Sequence, residues 1–77
     1  MYVPMNTHNK QKSIEALKKA IKICGTQSAL AKECGVRQQS VYQWLQYGVP
    51  AHRILQIEKA TGGKVSRHEL DPFLYPY

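Results

Sequence analysis

Seventy-seven residues suffice for one domain, and a chain this short buries only about 60% of its unfolded surface, so marginal stability is expected. Eleven Lys and Arg against five Asp and Glu give a formal net charge of +6, which favours a polyanionic partner: nucleic acid, an anionic membrane or an acidic protein. No apolar stretch approaches the ~20 residues that cross a bilayer, and the start Met1 to Met5 lacks the regions of a signal peptide, so a cytoplasmic protein without membrane segments is expected.

The two cysteines, Cys24 and Cys34, fall on the apolar side of helical patterns, where a reduced thiol packs as a small hydrophobe. There is no Cys-x-x-Cys or His-x-x-x-His pair, and His8, His52 and His68 lie far apart. Neither a metal nor another cofactor is expected, and the histidines read as surface residues.

In chain order, residues 1–12 show no clear period and read as an N-terminal arm. Ser13 is the expected N-cap of a first helix in which Ile14, Leu17, Ile21 and Cys24 form the apolar stripe, with Gly25 as its stop. Thr26 caps a short second helix that turns Ala29, Leu30 and Cys34 inward. Gly35 is suited to positive φ at its end, and Val36 follows as a buried hinge. A third helix spans about Gln38 to Tyr47, with Val41, Trp44 and Leu45 on one face and Gln39, Tyr42, Gln43 and Gln46 on the other.

Gly48 ends that helix, and Pro50 suits the first turn of a fourth, whose Ile54, Ile57 and Leu55 are expected to bury before Gly62-Gly63. Ser66 and Glu69 fit a capping box for a one-turn fifth helix, with Val65 and Leu70 as its hydrophobic staple. Asp71-Pro72 breaks it, which leaves residues 73–77 as an extended apolar tail. The expected fold is all-α: five short helices with a central helix-turn-helix, divided as an arm (1–12), a domain (13–72) and a tail (73–77).

A helix-turn-helix needs a small residue where its helices cross, a glycine at the turn and apolar anchors; Ala31, Gly35, Val36, Val41 and Trp44 stand in those places. Plain bundles also join short helices through glycine, so the outward face of the third helix decides the reading. From Gln38 to His52 no side chain carries full charge, and Gln38, Gln39, Gln43 and Gln46 share one short helix with Ser40 and Tyr42. An ordinary solvated face more often uses Lys and Glu. Glutamine both donates and accepts, which suits the N6 and N7 edge of adenine in the major groove, so these six are the candidate base readers. The plainer alternative is an uncharged face turned to solvent. Phosphate contacts call for charge and helix N-termini, for which Thr26, Gln27, Lys32, Arg37, Tyr47 and Arg53 are the candidates.

The stretch 27–45, from Gln27 to Leu45, resembles the Cro and repressor proteins of lambdoid phages. Trp44, Gly48-Val49-Pro50, Ile57-Glu58, Ala60 to Gly63, Glu69 to Pro72 and Tyr75-Pro76 are similar to the prophage-encoded Cro-like regulators of the YdaS antitoxin type, a resemblance covering about residues 13–76. It implies a dimeric repressor of a palindromic double-stranded DNA operator in a phage or prophage region. It likewise implies adenine reading by Gln38, Gln39, Ser40 and Gln43 and a phosphate contact by Gln27. Some Cro proteins form strands in their C-terminal half, but the helical period at 50–61 and the capping box favour the all-helical form here. The first dozen residues have no counterpart in the resemblance.

A competing function is an antitoxin-type protein that holds another protein, such as a toxin, through the tail Phe73 to Tyr77, since exposed aromatics mark interfaces. A homodimer would use the same Phe73, Leu74, Tyr75 and Tyr77. An enzyme is not expected, because no acid, base or nucleophile set recurs at a catalytic spacing, and with it no small-molecule substrate.

Overall fold

The computed structural model describes the backbone of residues 7–76 and the side chains of residues 11–76. Its elements are α1 (Thr7–Cys24), α2 (Gln27–Cys34), α3 (Gln38–Tyr47), a 3-10 turn (Ala51–Arg53), α4 (Ile54–Ala60) and α5 (Arg67–Leu70), with no strand among the described residues. The expected arm lies partly outside them, at residues 1–6, as does the side chain of His8.

α1 begins at Thr7, well before the N-cap expected at Ser13. Residues 7–12 contain neither Pro nor Gly, so nothing stops the helix from running past the end of its apolar stripe. The buried face is also rotated from the expected one. It consists of Ser13, Ala16, Leu17 and Ala20, while Ile14, Ile21 and Cys24 are half-buried at its flank and Ile23 is exposed. The alanines allow α1 to lie close to α2, α3 and α5, all of which pack against it. Gly25, at φ 110°, closes the helix with its N–H on the Ile21 carbonyl at 2.8 Å.

Thr26 is extended, and its Oγ1 accepts from the Ala29 N–H at 3.0 Å, the side-chain cap expected from sequence. At the other end of α2 the chain reverses through Gly35 at φ 69°. Gly35 N–H bonds Lys32 O at 3.1 Å and Val36 N–H bonds Ala31 O at 2.9 Å, the paired bonds of a Schellman stop. Leu30, Ala31 and Cys34 are buried, whereas Ala29 and Val36 are only half-buried. α3 then buries Val41 and Trp44 against the same core, with Leu45 half-buried beside them.

Pro50 leads into the 3-10 turn, so α4 proper starts only at Ile54. Ile54 and Ile57 are buried, but Leu55, expected inside, is 46% exposed, because α4 packs on α2 and α5 and Leu55 lies on the side that neither covers. The capping box of α5 forms as expected: Glu69 N–H bonds Ser66 Oγ at 3.2 Å and Ser66 N–H bonds Glu69 Oε2 at 3.3 Å. Val65 and Leu70, the staple pair, are both fully buried.

The tail does not run extended. Asp71 is buried, and its backbone and side-chain oxygens accept from Tyr75 N–H at 2.9 Å and Leu74 N–H at 3.0 Å, which turns the chain back. Tyr75 packs partly against the core, while Phe73 and Leu74 stay exposed. Tyr77 lies outside the described residues. The core that results joins Leu17, Leu30, Val41, Ile54, Ile57, Val65 and Leu70, each fully buried, and it sets α3 with its other face free.

Candidate nucleic-acid interface

The Thr26 cap, the Gly35 turn and the buried pair Val41 and Trp44 together determine what α3 shows to solvent. Gln38, Gln39, Tyr42, Gln43, Gln46 and Tyr47 are exposed and Ser40 is half-buried. The helical period places Gln39, Tyr42, Gln43 and Gln46 on one stripe, with Gln38 at the N-terminal tip. Neither terminus of α3 contains an acidic or basic residue in its outer turn, so the whole face is uncharged and rich in amide donors and acceptors.

Three cations come from α2, the start of α3 and the 3-10 turn that follows it. Lys32 on α2 and Arg37 at the start of α3 are exposed, and Arg53 is half-buried with Nη1 donating to Gln56 Oε1 at 2.8 Å. Gln27 is half-buried in the first turn of α2, directly after the Thr26 cap, and Tyr47 projects from the end of α3 with 76% of its surface exposed. These are groups that can meet phosphate oxygens around a helix that can meet base edges.

The residues expected to form a self-contact are separate from this face and differ among themselves. Phe73 and Leu74 are open to solvent, but Tyr75 is engaged by its own chain: Arg67 lies over its ring at 5.7 Å and His68 Nδ1 donates to its carbonyl at 2.9 Å. Burial above all raises the thiol pKa of both Cys24 and Cys34, which keeps them protonated at neutral pH and fits the packing role expected of them. Among the described residues no cluster of His, Cys, Asp or Glu could hold a metal ion, and no helix is long and apolar enough to cross a membrane.

Sequence reasoning missed the ion pair between Arg67 and Glu58 and the burial of Ser13. The first joins residues across the Gly62-Gly63 loop, where no helical spacing signals it; the second follows from the rotated face of α1, which a serine among apolar residues does not announce.

Two short helices joined through a left-handed glycine, the second offering an uncharged face within an all-α domain, place the protein in the helix-turn-helix class. The chain belongs to the family described as bacterial toxin YdaS, whose model matches residues 17–76. It is 45% identical over 60 residues to the YdaS protein of Escherichia coli (strain K12), whose name proposes a transcriptional regulator. That match covers 74% of this chain and 60% of the relative's length. The family description speaks of a toxin, whereas the resemblance read from sequence pointed to antitoxins. No solved structure matches the chain.

Proposed function

We propose that the protein is a sequence-specific regulator of transcription that binds double-stranded DNA, with α3 in the major groove. The observation that carries this reading is the uncharged, glutamine-rich, exposed face of α3 on a chain of net charge +6. Gln38, Gln39, Gln43 and Gln46 pair with base edges, adenine above all, with Ser40 and Tyr42 beside them. Thr26, Gln27, Lys32, Arg37, Tyr47 and Arg53 hold the phosphates and so the register. The name of the Escherichia coli relative supports a regulator, and a Cro-like repressor of a phage or prophage operator, acting in the cytoplasm without catalysis, is the form we favour.

Two copies on a palindromic operator follow from the same reading, since one subunit buries too little surface for tight specific binding. Half-sites one helical turn apart require the two recognition helices to stand about 34 Å from each other. Selection of bound duplexes from a random pool tests the whole proposal. A recovered palindrome with adenine-rich half-sites is the expected result, and a pool with no enriched sequence defeats it.

A second reading, in which the protein chiefly holds another protein, is favoured by the exposed Phe73 and Leu74 and by the word toxin in the family description. Pull-down with the product of the neighbouring gene, run beside the selection, separates the two.

A further inference from the structure

The face of α3 is chemically selective in what it leaves out. None of its 10 residues carries a guanidinium or ammonium group to pair with guanine, nor a carboxylate to accept from the cytosine amino group. What it exposes are the primary amides of Gln38, Gln39, Gln43 and Gln46, with the Tyr42 ring beside them. The helix is also firmly held. Val41 and Trp44 are buried in the core, α3 packs on both α1 and α2, and the Gly48 N–H closes its end on the Trp44 carbonyl at 2.8 Å. A group that meets this face therefore cannot push α3 aside without opening the core.

We propose that binding is controlled by a mark on the DNA itself: N6-methyladenine in the half-sites blocks this face. The inference deepens the regulator proposed above and rests on its base-reading assignment. A glutamine reads adenine by donating from Nε2 to N7 and accepting at Oε1 from the N6 hydrogen that faces the major groove. The other N6 hydrogen is held in the pair with thymine, so a methyl group on a paired adenine replaces the hydrogen that glutamine needs. The amide then loses a donor and meets a methyl group, and its oxygen is left unpaired as water is excluded. Arginine or lysine reading guanine is blind to this mark, because guanine offers O6 and N7 acceptors there. A helix that reads through amides alone has no such residue to fall back on. Backing off does not help, because with α3 fixed in the core the whole domain must move, and its phosphate contacts with it.

The test takes the full chain and the duplexes recovered by selection from a random pool, resynthesised with N6-methyladenine at one half-site adenine at a time and titrated by fluorescence anisotropy. Each methyl group at an adenine read by α3 should weaken binding roughly 5- to 150-fold, the effect of one lost bidentate pair. The same group outside the half-sites should change nothing. Gln38→Ala, Gln39→Ala or Gln43→Ala, at the adenine whose discrimination it relaxes, should make methylated and plain duplexes bind alike, with circular dichroism to confirm folding. A methyl effect that persists undiminished in all three variants comes from the DNA rather than from this face, and overturns the proposal. So does a wild type that ignores the mark at every half-site adenine, or recovered half-sites without adenine; both outcomes leave the sequence-specific regulator standing. A pool with no enriched sequence defeats that regulator, and this inference with it.

Discussion

Arg67 grips Glu58 through both its backbone and its side chain. The Arg67 N–H donates to Oε2 at 2.6 Å and Nη2 donates to Oε1 at 2.8 Å. A carboxylate from α4 thus satisfies a free N–H at the start of α5, where a helix favours negative charge. The pair fixes α5 on α4 across the loop that contains Gly62 and Gly63, and α5 in turn packs on α1.

Stability should therefore depend on acid in a defined way. Hydrogen bonds from Arg67, side chain first and backbone second, hold the Glu58 carboxyl below its ordinary value of 4.5. A depressed carboxylate contributes stability above the unfolded pKa, and that contribution is lost as pH falls through the folded value. Glu58→Gln is expected to lower Tm at neutral pH, with the gap to wild type narrowing below about pH 4.5, the ordinary value. A gap that stays constant on acidification would show that the pair adds nothing through charge.

Ser13 offers a change in the other direction. Its hydroxyl is fully buried and finds no hydrogen-bond partner among the described residues. Ser13→Ala removes the orphaned group and improves helix propensity, so it should stabilise the domain by about 1 kcal/mol. Urea denaturation measures this directly, and a destabilised variant would mean that the hydroxyl is satisfied.

Trp44 is an anchor of the helix pair rather than a platform for bases, being 6% exposed and packed in the core cluster. Trp44→Ala should cost about 3 to 5 kcal/mol, enough to unfold a domain of this size. The check is thermal melting by circular dichroism. A variant that melts like wild type yet loses DNA binding would reverse the assignment.

On the outer face of the same helix, single replacement of Gln38, Gln39 or Gln43 by Ala should cost about 1 to 3 kcal/mol at one base position and relax discrimination there. Stability should be almost untouched, since all three side chains are exposed. If the triple variant kept the wild-type preference in a competition assay, base reading would have to be moved to other residues.

Salt dependence isolates the phosphate contacts. The logarithm of affinity should fall with the logarithm of salt concentration at a slope of about 0.9 per phosphate neutralised. Arg37→Ala and Arg53→Ala should each reduce that slope by about one unit while leaving sequence preference intact. Affinity independent of salt would remove the electrostatic part of the proposal.

Local chemistry made the turn elements legible in advance. Thr26, Gly35 and the Ser66 to Glu69 box act within four residues of themselves, through a hydroxyl, a missing Cβ and a short carboxylate arm. The alternation of Val41 and Trp44 with the exposed glutamines is likewise a property of one helix, so the candidate face was visible from spacing alone.

The departures arose where an outcome depended on a partner far along the chain. Which side of α1 is buried was decided by α2, α3 and α5 closing on its small residues, and that turned Ser13 inward and left Ile23 outside. Leu55 stayed exposed because the packing of α4 on α2 and α5 buries Ile54 and Ile57 and leaves the side that carries Leu55 open, and the tail folded back because Asp71 and Arg67 supplied contacts for it. The sequence by itself therefore determined the number and order of the helices, the Thr26, Gly35 and Ser66 caps and the chemistry of the α3 face, all set by interactions a few residues long, but not where α1 and α4 begin. The tertiary structure alone decided which apolar surface is left over, because burial is shared out among helices only when they pack.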